Sequence, residues 1–506
     1  MPVSANKRIV KNTLFLYFRM MFIMVVSLYT SRVVLQMLGV DDFGLYQVVG
    51  GVVGLVSFIN GSLSVGTSRF LTYELGTGDY EKLNRVFCTT LNSHIILSVF
   101  IVFLAETVGL WFVYNKLNIP ADRLHSSVLA YHLSVITVFF TMIQIPFAAS
   151  IIAYEKMNIY AYISIFEALA RLSLAYLLRL GKMDRLVLYA ALLCSLHVVI
   201  FLLYHFYCKM VIKATKYHFI WDKSIFKPII SFSGWSMFAQ VSIALNSQGA
   251  AIITNIFFGP AVVAARTIAL QVNMAANQFV NNFRTAINPQ IVKKYASGDD
   301  EGSKQLLLES VKYSYYLMLI LGLPIIFVAD KILLLWLGAV PEYAVIFLQL
   351  AIVQSLFSVF DTSFYTALYA KGQLKENALI SPAIGFISFP IVYLFFKLGY
   401  SPVVLSYAGI VSYALLGILI KPILIIRVAN YSIKDIVSVF MPCITATLVA
   451  VIFPLIINRI ISDSILSAFI VCASSIISVA VSVYCVGIDK NLRSRIREYI
   501  KHKGLK

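Results

Sequence analysis

Residues 75–82 read LGTGDYEK and residues 295–302 read YASGDDEG. The Gly-Asp pairs they share, Gly78-Asp79 and Gly298-Asp299, lie 220 positions apart. The same offset pairs Gly39 with Gly259, each at the close of one apolar run and the opening of the next. It also sets Ser57 against Asn277 and Ser64 against Arg284. An apolar chain that repeats itself once at half its working length has the pattern of a membrane carrier built from two like lobes, with substrate bound in the seam near the bilayer midplane.

Composition agrees. The 506 residues are 60% hydrophobic and only 13% charged, with a mean hydropathy of +0.86, whereas soluble domains carry about 25% charged residues. Cys88, Cys194, Cys208, Cys443, Cys472 and Cys485 sit in or beside apolar runs with no CxxC spacing, as buried small hydrophobes rather than disulfides or metal ligands. The first run, from about Thr13, is too long for a signal-peptide core and is expected to be retained as a span. A net charge of +18 suggests nucleic acid, but the basic residues collect on one side of the expected membrane, which excludes that reading.

Runs long enough to cross about 30 Å of hydrocarbon fall near 13–37, 44–66, 86–114, 126–152, 159–179, 186–208, 229–257, 260–287, 307–329, 343–369, 378–397, 403–427, 436–458 and 464–487, the fifth and eighth being the least apolar. Fourteen spans place both termini on one side. With the termini cytoplasmic, the inside loops hold 27 basic residues, Lys421 among them, and the outside loops 8, the bias of the positive-inside rule. The predicted fold is an all-α integral membrane protein of fourteen transmembrane helices. Residues 1–208 form an N-lobe of six spans, 209–228 a cytoplasmic linker, and 229–430 a C-lobe of six spans. Residues 431–488 hold two extra spans and 489–506 a basic cytoplasmic tail. Six spans per repeat is an even number, so the lobes relate by a pseudo-two-fold along the membrane normal. In the tail, Leu492, Ile496 and Ile500 suit an interfacial helix, and a solvated basic tail accounts for them equally.

The eighth run carries the strongest site signal. Arg266, Asn273, Asn277, Asn281, Arg284 and Asn288 share one helix face. Lipid does not tolerate such a stripe, since one arginine at the bilayer centre costs roughly 2.5–3.5 kcal/mol on insertion scales. The stripe either lines a hydrated cavity or hydrogen-bonds to neighbouring helices. Its repeat mate offers Ser57, Asn60 and Ser64, and the seventh run adds Ser236, Gln240 and Ser247. Arg19 and Arg32 bracket the first run; Arg19 lies deep enough to meet substrate, and Arg32 suits an outer-end anchor as well. Glu167 and Arg171 stand at i, i+4 and are expected to neutralise each other. Asp361 lacks a local partner and is the candidate for a coupling ion, a proton or sodium. Glu106, His94, His132 and His197 read as isolated structural polar groups. There is no Walker Gly-Lys-Ser/Thr, no HExxH and no nucleophile with a His/Asp partner set, so no enzyme activity, metal or cofactor is expected.

Asn12-Thr13, Ser31-Arg32, Leu38-Gly39, Asp42-Phe43-Gly44, Tyr46 and Ser68-Arg69-Phe70, with the fourteen-span count, give the chain a resemblance to the multidrug/oligosaccharidyl-lipid/polysaccharide exporter superfamily. In particular it resembles the bacterial O-antigen and capsule repeat-unit flippases (Wzx-type), along essentially the whole chain. That resemblance implies two six-helix bundles in the bacterial inner membrane that open alternately to each side. It implies as cargo an undecaprenyl-diphosphate-linked oligosaccharide, moved from the cytoplasmic to the outer leaflet, with membrane lipids as the other partner. Arg19, Arg266 and Arg284 are the positions it suggests for the diphosphate. Cations with Asn and Gln suit a diphosphate-sugar, whereas an exporter of organic cations needs acids, and the first span has no Asp or Glu. The alternatives are an ion-coupled multidrug or metabolite antiporter of the same superfamily and a lipid II flippase. A membrane glycosyltransferase or polymerase is expected to carry a large outside loop that this chain lacks.

Overall fold

The computed structural model describes residues 2–55, 57–179, 183–227, 240–373, 375–461, 464–488 and 493–494. The described residues form helices joined by short connections: α1 Pro2–Leu38, α2 Val40–Gly54, α3 Ser57–Thr77, α4 Tyr80–Asn115, α5 Ala121–Ala153, α6 Met157–Leu177, α7 Arg185–Val211, α8 Gln240–Phe258, α9 Pro260–Ala296, α10 Asp300–Phe327, α11 Ala329–Leu337, α12 Ala344–Lys371, α13 Lys375–Lys397, α14 Val404–Ala429, α15 Ile433–Ile460 and α16 Ile465–Gly487. Among the described residues 11 helices are long and apolar enough to cross a membrane. The protein is therefore a multi-pass membrane protein. Helices also lie over the three remaining expected runs: α2 with α3, α6, and α9. α6 and α9 fall short in hydropathy because of the charged and polar side chains that make them interesting. The tail beyond 494 and the stretch 228–239 with Ser236 lie outside the described residues.

The 220-residue repeat is a repeat of conformation. Gly39 and Gly259 have φ of 83° and 80°, and Gly78 and Gly298 have 77° and 79°, left-handed values that a Cβ disfavours. After each second glycine an aspartate caps the next helix. Asp79 accepts from the Lys82 N–H at 2.9 Å, and Asp299 from the Gly302 N–H at 2.9 Å. The Lys294 ammonium, with that N–H, holds the Asp299 carboxyl below its usual range. The turns after α5 and α12 match too. Glu155 and Gly372 are both left-handed, and Lys156 N–H bonds Ile151 C=O as Gln373 N–H bonds Leu368 C=O.

The chain divides into two compact units, one of residues 1–267 with 385–402, the other of 268–384 with 403–506. In the first unit the sequence Asp42-Phe43-Gly44 has a packing reason. Arg123 bridges Asp42 and Asp184, each at 2.5 Å, while Asp184 also caps α7 through Leu186 and Val187 N–H. Phe43 is buried. A Cβ on Gly44 would stand 2.0 Å from the Pro260 carbonyl oxygen, so only glycine admits that contact. Within the second unit, a Cβ on Gly417 would meet the Phe357 carbonyl oxygen at 2.7 Å. α14 thus lies backbone to backbone on α12 one turn before Asp361.

Candidate functional site

The C-terminal part of α9 is tied to α12 by a ladder of polar rungs. Asn277 Nδ2 donates to Ser355 Oγ at 2.9 Å, Arg284 donates to the Thr362 carbonyl, and Thr366 Oγ1 donates to Asn288 Oδ1 at 3.3 Å. All three rungs join residues 78 apart, so the two helices run parallel and in register. Asn273 completes the first rung: it is buried, and its Oδ1 accepts from Ser355 Oγ at 2.8 Å and from Asn277 Nδ2 at 3.2 Å. Asn273 Oδ1 and Asn277 Nδ2 thereby find partners within the protein, which lowers the cost of those polar atoms in an apolar medium. Asn281 is exposed and only touches the Arg284 guanidinium at 3.4 Å.

At the level of Arg284 the ladder meets a buried charge pair. Lys421 Nζ lies 3.1 Å from Asp361 Oδ1. Lys421 is 2% exposed, donates to Asn377 Oδ1, and stands 5.3 Å over the Tyr365 ring. This corrects two expectations. Asp361 has a partner, supplied by another helix, and Lys421 is not in a cytoplasmic loop, which removes one from the inside count of 27. The π-helical stretch Leu415–Ile420 directly precedes Lys421. A π turn inserts one residue and rotates the remainder of the helix by about 100°, so it sets which face of α14 carries the ammonium. Asp361 also lies near enough to attract the Arg284 charge.

The first unit holds the other candidates. Arg19 lies 5.1 Å from the Tyr160 ring and 3.4 Å from Ser164 Oγ, and its buried Nε has no hydrogen-bond partner among the described residues. Arg32, Gln240 and Ser64 are partly buried. The side chains of Ser57 and Asn60 lie outside the described residues. Arg266 is partly buried and, among the described residues, has no acid or hydrogen-bonding partner. A guanidinium carries five donors, and Arg266 has no protein acceptor for them among the described residues.

The profile of the polysaccharide biosynthesis protein family matches residues 9–295, more than half of the chain. The chain belongs to that family. It is similar to the uncharacterized membrane protein EpsK of Bacillus subtilis (strain 168), with 21% identity over 421 residues and 80% of each chain covered. Its fold is similar to the lipid II flippase MurJ in an inward closed conformation, at a TM-score of 0.68 and 13% identity, over 93% of this chain and 98% of the other. It is also similar to an inward-facing multidrug resistance MATE family transporter of the MOP superfamily, at a TM-score of 0.66 and 17% identity, over 82% and 99% of the two chains. The fold is thus MATE-like.

For this family member, sequence reading missed several cross-helix pairs. Glu106 and His132 were expected to stand alone and instead pair at 2.8 Å between α4 and α5. The expected Glu167–Arg171 pair forms at 2.7 Å, and Arg171 also reaches His197 Nε2 at 3.1 Å. His197 Nδ1 sits 2.8 Å from the Leu193 carbonyl. A carbonyl only accepts and a guanidinium only donates, so this ring is neutral with its proton on Nδ1. His94 makes the same kind of bond, to the Thr90 carbonyl at 2.8 Å. Each partner lies on another helix or on the backbone, where no side-chain spacing announces it.

Proposed function

We propose that this protein is a lipid-linked oligosaccharide flippase that moves undecaprenyl-diphosphate-linked glycan repeat units from the cytoplasmic to the outer leaflet by alternating access. The observation that carries the reading is Arg266: a guanidinium on a membrane helix with no protein anion beside it among the described residues, in a member of a polysaccharide biosynthesis family. A diphosphate supplies the missing charge and accepts the two-pronged guanidinium. Arg19, held against an aromatic ring and a hydroxyl rather than a carboxylate, is the second candidate, and the exposed Asn281 amide suits sugar hydroxyls. Arg32, Asn60 and Gln240 complete the proposed substrate-binding set, while Asn273, Asn277 and Arg284, expected from the sequence to join it, are assigned in this reading to holding α9 against α12. Asp361 serves as a coupling site in this reading only in a state where Lys421 has left it. The fourteen-span topology, the two-lobe division and both termini on the cytoplasmic face of the inner membrane belong to the same proposal. A lipid II flippase is the second reading, and the similarity to MurJ at 13% identity supports its fold alone. A non-enzymatic carrier role is common to both.

The deciding experiment places this gene in strains lacking a defined flippase, one strain per glycan, and measures surface glycan. Restoration with an O-antigen or capsule unit is expected. Restoration only of growth in a strain depleted of its lipid II flippase would transfer the assignment to lipid II. Reporter fusions after Lys223 and Lys506 should read cytoplasmic, and one after Pro341 periplasmic; a periplasmic C-terminus would overturn the even span count.

A further inference from the structure

The connection after α7, read from sequence as a plain linker, is clamped along α4. Asn84, Cys88 and Asn92 stand at i, i+4, i+8 on one face of that helix. Asn84 Nδ2 donates to the carbonyls of Ala214 and Lys216 at 2.8 and 2.7 Å, and the His218 N–H donates to Cys88 Sγ at 3.4 Å. Asn92 Nδ2 donates to the Ile220 carbonyl at 2.9 Å, and the Tyr217 hydroxyl donates to Asn92 Oδ1 at 2.9 Å. Residues 216–222 are non-helical, and apart from the Lys216 N–H to the Lys213 carbonyl and the Asp222 carbonyl to the Ile225 and Phe226 N–H, their backbone groups need partners outside the segment. The stripe on α4 does this for a stretch that climbs with the helix, from Asn84 to Asn92, over about 12 Å.

The outward edge of the segment is not that of a solvated loop. Phe219 is 82% exposed, and Tyr217 and Trp221 are exposed as well. The exposed apolar stripe of α7, through Val199, Leu203, Phe206 and Met210, runs up to its last turn, so lipid-level surface extends to the residues just before the segment. Lys209, Lys213, Lys216, Lys223 and Lys227 flank it, all exposed. The acid among them, Asp222, is already engaged by Ser224 and by Arg85 at 3.7 Å. Aromatic rings beside several lysines complement an anionic leaflet, with rings at headgroup depth and ammonium groups toward the phosphates.

We propose that residues 213–222 are a membrane-surface latch, clamped to α4 through Asn84, Cys88 and Asn92, whose Phe219–Trp221 edge and flanking lysines bind the headgroup layer of an anionic lipid leaflet. The inference is independent of the cargo.

The test uses the full chain with Trp111, Trp235 and Trp336 replaced by Phe, which leaves Trp221 as the one indole of the four. It is reconstituted in phosphatidylcholine vesicles with or without phosphatidylglycerol. Lipids spin-labelled near the headgroup should quench Trp221, about twofold more strongly when phosphatidylglycerol is present, and Lys213→Gln with Lys216→Gln and Lys223→Gln should abolish that difference. Asn84→Ala with Asn92→Ala should raise trypsin cleavage at Lys213 and Lys216 by about tenfold. Trp221 emission quenched by aqueous iodide and untouched by labelled lipid would overturn the proposal, as would equal quenching in both vesicle types. Because the Trp221 readout needs no change to the clamp, it decides the matter even where the Asn84 variant folds poorly.

Discussion

Arg266 and Arg284 sit on the same helix in opposite circumstances. Arg284 donates to the Thr362 carbonyl beside the Asp361–Lys421 pair, while Arg266 has no partner among the described residues. The contrast separates two uses of charge inside a membrane. Arg284, although its Nε has no partner among the described residues, ties two helices together through another of its donors; Arg266, with no such tie, is the one proposed above to meet a ligand.

The largest effect tests the partnered side. Asp361→Leu alone strands a buried ammonium, which costs about 3–5 kcal/mol, and membrane abundance should fall by an order of magnitude or so. Adding Lys421→Met should restore abundance, because the pair leaves together. Failure of the double variant to recover would mean that the charges do more than neutralise each other.

Next comes the unpartnered side. Arg266→Gln should leave abundance normal and cut surface glycan at least about tenfold, the order of one lost charge-assisted hydrogen bond to a phosphate. Arg266→Lys should keep part of the activity. If abundance falls with activity, and neutralising an acid elsewhere rescues both, Arg266 is another structural cation and the contrast collapses.

Arg284→Gln is expected to fall between these. It removes the charged hydrogen bond to the Thr362 carbonyl, worth about 1.5–3 kcal/mol, so abundance and glycan should drop together by a few-fold. Normal abundance with lost transport would move Arg284 to the binding side.

The smallest effect resolves the stripe between the two arginines. In a cysteine-free background, Asn281→Cys should react with a membrane-impermeant thiol reagent about tenfold faster than Asn273→Cys, which needs local opening, with Asn277→Cys, partly buried, in between. Equal rates at all three would restore the reading of one continuous wet face.

Much of the fold was legible because its signals are local. The Gly-Asp repeat announced an internal duplication, and both copies form a positive-φ glycine followed by an aspartate cap, with nearly the same φ. The i, i+4 spacing of Glu167 and Arg171 announced their pair, and it forms. The polar face of α9 was visible as a stripe, but its division into tied and untied members was not, because Ser355, Thr362 and Thr366 look ordinary in their own helix. Asp361 was misjudged for a related reason: its partner Lys421 is far along the chain, and a lysine at the edge of an apolar run reads as a loop anchor.

By itself, then, the sequence determined that this chain is apolar, helical and internally repeated, and where its helices begin and turn, because backbone conformation and burial in lipid depend on neighbours a few residues apart. Only the tertiary structure decided which charges are spent. Pairing reaches across helices, and a hydrogen bond to a backbone carbonyl such as that of Thr362 or Ile220 leaves no mark on residue identity. Whether an arginine in the membrane is mortar or a binding group depends on what stands a few ångströms away, and that distance exists only in the fold.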